Sequence, residues 1–160
     1  MPLTFNLRHI DTKDLSLEGE LPSEELELEL HDEMIRPAGP LQYDLNVQNL
    51  EGAVLVQGEL QLPLEFNCVR CLKKFQRPLQ IEDWVCHLPL TGEDATPIDN
   101  DLVNLTPYLR EDILLALPQH PLCEPECGGL KLPARAKDPE KAAGKTASAW
   151  DALDKLKLKN

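Results

Sequence analysis

Two short cysteine pairs constrain this chain more than any other feature. Cys68-Val69-Arg70-Cys71 is the first, and Cys123 with Cys127 forms the second, about fifty residues downstream. A C-x2-C and a C-x3-C knuckle can together offer four thiolates to one ion, so a fold that uses both must bring the second back to the first. Thiolate softness makes zinc the leading metal, with iron as the other common occupant of four-sulfur sites. Four deprotonated thiols crowded together would repel one another without a cation between them. His120 could stand in for one cysteine. The fifth, Cys86, lies in an apolar stretch and reads as a small core residue.

The charge is distributed unevenly. Residues 1–130 hold 8 basic and 24 acidic side chains, a net of −16, whereas residues 131–160 hold 8 and 4, a net of +4. An acidic body of this kind excludes a surface that wraps nucleic acid or anionic lipid as a whole, because phosphate binding depends on Lys and Arg. Residues 66–81 invert the sign locally. They carry Arg70, Lys73, Lys74 and Arg77 with Phe66 and Phe75, and no acid. Any nucleic-acid contact is expected there.

The first half of the chain reads as strands. Leu3, Phe5 and Leu7 alternate, as do Leu26, Leu28 and Leu30 against glutamates, and again Leu41, Tyr43, Leu45 and Val47. The β-branched run Val54 to Val56 leads into a long extended segment, Leu60 to Phe66, with residues 75–88 as its return strand. The first knuckle is thus expected at the tip of a long antiparallel hairpin. One helix is predicted at about 106–117, with Thr106 as its N-cap, Pro107 in the first turn and Pro118 at the far end. Its apolar stripe, Leu105, Leu109, Ile113, Ala116 and Leu117, would pack on the sheet, leaving Arg110, Glu111 and Asp112 outside.

The fold class is therefore α+β, mainly antiparallel sheet, in one domain over residues 1–132. Residues 133–147 contain no large apolar side chain and are expected to form a flexible linker. Residues 148–160 read as a short amphipathic helix in which Trp150, Leu153 and Leu156 oppose Lys155, Lys157 and Lys159. Such a helix either docks on its own domain or grips a partner. The N-terminus lacks a signal-peptide pattern, and no stretch approaches the roughly 20 apolar residues of a membrane span, so a cytoplasmic protein is expected.

No glycine loop for phosphates, nucleophile elbow or paired-carboxylate site is visible, so no small-molecule substrate and no enzymatic activity are expected. Two rival readings stay open. One is a thiol oxidoreductase using Cys68 and Cys71, for which Arg70 and Lys73 would acidify a thiol. The other is a zinc-stabilised protein–protein adaptor.

Three segments together are similar to the YceD family of bacterial and plastid proteins. They are Leu64 to Leu72 around the first knuckle, Leu109-Arg110-Glu111-Asp112-Ile113-Leu114-Leu115-Ala116-Leu117-Pro118 with Cys123 following, and Trp150-Asp151-Ala152-Leu153-Asp154-Lys155-Leu156-Lys157. The opening Pro2-Leu3-Thr4-Phe5 also fits. Beyond Cys127 the chain reads Gly128-Gly129-Leu130, where many relatives continue with further cysteines. The resemblance implies a non-enzymatic factor needed for accumulation of the large-subunit (23S) ribosomal RNA and assembly of that subunit. On the residues themselves, the acidic body would hold off nonspecific RNA. Arg70, Lys73, Lys74 and Arg77, with Phe75 as a stacking surface, would contact rRNA or a pre-ribosomal particle. The acidic surface could instead meet a basic ribosomal protein.

Overall fold

The structure is a computed structural model that describes residues 1–28, 30 and 33–131. The expected linker at 133–147 and the segment carrying Trp150, Leu153 and Leu156 lie outside the described residues. The elements run β1 (Thr4–Asn6), α1 (Leu7–Ile10), β2 (Leu15–Leu21), β3 (Ile35–Pro37), β4 (Leu41–Leu50), β5 (Ala53–Asn67), β6 (Lys74–Pro89), β7 (Ile98–Asp99), β8 (Leu102–Asn104) and α2 (Thr106–Ala116). This is the α+β arrangement, dominated by antiparallel sheet, that the sequence predicts.

The alternating run from Val54 to Phe66 forms the middle of one sheet. β6 pairs along one edge of β5, and β3 and β4 share the other edge end to end, with β2 outside β4. Val54, Val56, Leu60, Leu62, Leu64 and Phe66 of β5 are buried together with Leu41, Leu45 and Val47 of β4. Side chains alternate along a strand, so the intervening residues line the outer face. There Glu18, Asp44 and Glu59 stand directly opposite one another across β2, β4 and β5. Like charges in register oppose pairing, and this sheet tolerates them because the face is open to water.

A bulge in the hairpin sets the orientation of its outer half. Gly58 opposes Trp84, yet Leu60 opposes Ile81, so β6 contains one residue more than β5 at this point. Trp84, Cys86 and Leu88 face the core on one side of the bulge, and Leu79 and Phe75 do so on the other. Without the extra residue, Phe75 and Arg77 would turn to the opposite face. Gly58 also allows the close strand approach: a Cβ there would lie 1.9 Å from the carbonyl oxygen of Asp44.

β1, β8 and β7 make a second, three-stranded antiparallel sheet that leads into α2. Leu105, Leu109 and Ile113 are fully buried, as the helical spacing predicts. Three details differ. Thr106 is the first helical residue rather than the N-cap: its buried hydroxyl accepts from the Leu3 N–H at 2.9 Å, while the Asn104 side chain accepts from the Thr106 N–H at 3.0 Å. Asp112 accepts the indole N–H of Trp84 at 2.6 Å and so ties the helix to β6. Ala116 is exposed.

The strand expected through Leu26, Leu28 and Leu30 does not form. Residues 23–27 turn instead, with Glu25 and Glu27 donating to Pro22 and Glu24 carbonyls at 3.0 and 3.2 Å. Leu26 is fully buried, and Leu28 and Leu30 pack half-buried against the same core. The strand that pairs with β4 is β2, built on the alternation of Leu15, Leu17 and Leu21.

Candidate metal centre at the hairpin tip

Six residues, Cys68 to Lys73, join β5 to β6. The Cys68 N–H donates to the Lys73 carbonyl at 2.8 Å, and the Leu72 N–H donates to Cys68 at 2.9 Å, closing a tight knuckle. Leu72 takes a left-handed conformation, φ 60°, an unusual state for a non-glycine residue, and its side chain is exposed.

The second knuckle reaches this tip after α2. Leu117 is extended, as the residue before Pro118 must be to avoid a steric clash. The return segment then docks through its backbone. Pro121 accepts from the Val69 N–H at 3.0 Å, and Cys127 from the Arg70 guanidinium at 3.1 Å. Arg77 donates to the carbonyls of Leu122 and Cys123, each at 3.4 Å. The Cys127 N–H closes its own turn on Glu124 at 3.2 Å.

These contacts bring four sulfurs together. The Sγ atoms of Cys68, Cys71, Cys123 and Cys127 all lie within 4.8 Å of one another. Cys68 to Cys127 is 3.7 Å and Cys71 to Cys123 is 3.6 Å. A tetrahedron with metal–sulfur bonds of about 2.3 Å has edges of about 3.8 Å, so the cluster is sized for one ion. A disulfide would need about 2.05 Å, and all five cysteines are free. Cys68 and Cys127 are buried; Cys71 and Cys123 are half-buried.

The thiols differ in acidity. N–H groups of Cys123 and then Cys71 pull Cys68 down from 9.0 to about 6, against the desolvation that opposes its charge. Burial pushes Cys123 up to about 12, with the Cys71 thiol adding to the shift. At Cys127 the Gly129 N–H acts downward, but desolvation and the thiols of Cys71 and Cys68 outweigh it and raise the group. One site therefore combines backbone donors that favour a thiolate with crowding that resists four of them. A divalent cation reverses that crowding, because it favours deprotonation of every thiol it binds.

His120 is exposed and stands outside the four-cysteine group. Cys86 lies in the core opposite Val56, where burial, then Asp112 and Glu111, push its thiol up to about 11. Arg70, Lys73, Lys74 and Arg77 are all exposed. Lys74 sits 3.6 Å from Glu65. Phe75 is half-buried and stacks on Phe66 with ring centroids 5.2 Å apart, while the Arg77 guanidinium lies 5.2 Å from the Phe75 centroid. The links of Arg70 and Arg77 to the second knuckle were not foreseen. The prolines at 118, 121 and 125 were the available signal, since they favour an extended segment with carbonyls open to side-chain donors.

Between hairpin and return segment lies a cleft of about 410 Å³ lined mainly by Phe66, Phe75, Leu79, Pro118, Pro121 and Leu122. Among the described residues, no helix is long and apolar enough to cross a membrane.

Comparison with known proteins adds relatives but no solved structure, since none matches. Uncharacterized proteins of Mycobacterium tuberculosis and Mycobacterium bovis are each 30% identical over 122 residues, covering 64% of this chain. The alignment takes in 59% of the length of those relatives. A family profile described as Large ribosomal RNA subunit accumulation protein YceD matches residues 56–157, from near the start of β5 through both cysteine knuckles. That match covers more than half of the sequence, and the chain belongs to the YceD family.

Proposed function

We propose that this protein is a non-enzymatic cytoplasmic factor for accumulation of large-subunit rRNA, and that it meets rRNA or a pre-ribosomal particle through the basic hairpin tip. The family description supports the rRNA role. The observation that carries the mechanism is the convergence of four cysteines at the hairpin end that carries the exposed Arg70, Lys73, Lys74 and Arg77. In this reading Cys68, Cys71, Cys123 and Cys127 hold zinc, which supplies a rigid clamp between the knuckles, while the positive charge of the tip comes from its Arg and Lys side chains. Arg70 and Arg77 brace the return segment, the two lysines face the partner, and Phe75 supports Arg77 from below.

The outer sheet face, with Glu18, Asp44 and Glu59 in register, works in the opposite sense by repelling phosphates away from the tip. A basic ribosomal protein is the partner that face would suit. The redox alternative has less support, because the acidified sulfur, Cys68, is buried and a reactive thiolate needs access.

Gradient sedimentation of cell extracts tests the contact. Lys73→Glu with Lys74→Glu should shift the protein away from large-subunit particles, with a melting temperature lowered only slightly by the new glutamate facing Glu65. Those lysines are a cleaner probe than Arg70, whose loss would also release Cys127. Co-sedimentation unaffected by the double charge reversal would count against the tip. Depletion of the protein should lower the large subunit relative to the small, and a normal ribosome profile would sink the rRNA role.

A further inference from the structure

The cleft beside the cysteine cluster has features that a packing defect does not explain. Its floor is aromatic and aliphatic, from Phe66, Phe75 and Leu79 on the hairpin, and its other wall is Pro121 and Leu122 on the return segment. Its polar lining is Arg77 and His120, both exposed. No acidic side chain lines it, although the body around it is strongly acidic. Its volume, about 410 Å³, is that of a small-ligand site rather than a packing void.

This combination fits an unstacked nucleobase. RNA is read mainly where bases are splayed from single strands and laid against aromatic rings or arginine planes, with phosphates held by neighbouring cations. Arg77 sits over Phe75 and uses one guanidinium nitrogen for both of its 3.4 Å contacts to the return segment, so its other N–H groups are available to a base or phosphate at the cleft mouth. Arg70 and Lys73 continue the positive charge around the tip, along the path that flanking phosphates would take, while Lys74 alternates to the other sheet face beside Glu65. Charge complementarity therefore selects an anionic polymer, and the apolar floor selects a single strand over a duplex, whose bases are hidden.

We infer that the cleft between Phe75 and Leu122 takes a base of single-stranded RNA, with Arg77 at its mouth. The inference rests on the reading of the tip as an RNA contact and names the part of the RNA that the tip holds. One wall belongs to the hairpin and the other to the return segment, so the contacts that join the knuckles, Val69 to Pro121 and Arg77 to Leu122 among them, keep the cleft in shape together with the cysteine cluster.

Equilibrium binding of the full chain to a short labelled oligouridylate, to an abasic strand of equal length and to an RNA duplex tests it. The base-bearing single strand should bind about tenfold more tightly than either of the others. Leu122→Trp, which fills the cleft, should abolish that preference, while Lys73→Glu should weaken all three RNAs alike. Equal, salt-sensitive binding of abasic and base-bearing strands overturns the base cleft and leaves the tip contact standing. No binding of any RNA overturns both. A concentration-dependent dimer that Leu122→Trp abolishes, with RNA binding unmoved, assigns the cleft to a second copy and overturns the inference. The comparison among ligands uses the unmodified protein, so it holds even if Leu122→Trp fails to fold.

Discussion

Val69 donates its backbone N–H to the carbonyl of Pro121 at 3.0 Å, joining residues that are far apart in sequence and carry the two cysteine knuckles toward each other. The bond lies beside the sulfur cluster, so the knuckles are held by backbone and arginine contacts as well as by whatever the thiolates bind. That arrangement separates the geometry of the tip from its metal chemistry, and each can be tested.

Purified protein should contain about one equivalent of zinc, and chelation should lower its melting temperature. With the metal in place, a thiol reagent should find no fast-reacting cysteine, because four are ligands and Cys86 is buried with its thiol held neutral. After chelation four should react before unfolding. Five thiols reacting at once in native, metal-free protein would remove the site.

Gly58→Ala should destabilise the fold by about 1–3 kcal/mol, because its Cβ would strike the Asp44 carbonyl at the bulge. Gly128→Ala is the matching control: its Cβ meets nothing, so the change should stay within about 0.5 kcal/mol. Urea melts of the two variants give the comparison.

Asp112→Ala should cost about 1–3 kcal/mol by leaving the indole N–H of the buried Trp84 without its acceptor. Trp84 fluorescence should shift in the native state of this variant. An unchanged spectrum and unchanged stability would mean that the bond contributes nothing to fixing α2 on β6.

Cys86 makes stability depend on alkaline pH. Its pKa is raised from 9.0 to about 11 in the fold by burial, then by Asp112 and Glu111, so folded and unfolded states both keep the proton below pH 9. Between about 9 and 11 the unfolded chain loses it first, and stability falls across that window. Cys86→Ala should flatten this part of the stability–pH curve relative to wild type.

The hairpin, the helix and the meeting of the knuckles were legible because each rests on a local pattern. Leu60 to Phe66 alternates, Leu105, Leu109 and Ile113 recur at helical spacing, and the cysteines come in pairs. The strand expected around Leu28 failed because alternating Leu and Glu describes a chain half in water without specifying a partner strand. β4 pairs instead with Leu15–Leu21. The bulge at Gly58 was illegible for a similar reason: its extra residue lies on β6, where nothing in the local sequence marks it. The cleft and the arginine braces depend on contacts between residues more than forty positions apart, which periodicity cannot register.

Cys71 and Cys123 are separated by 52 positions, and β6, β7, β8 and α2 all lie between them. During synthesis the first knuckle leaves the ribosome well before the second exists. Half a ligand set holds a metal weakly, so a metal bound by both pairs would be captured firmly only after everything between them has been made and docked. Such a site would act as a completion check, with the basic tip finished only once the body is in place.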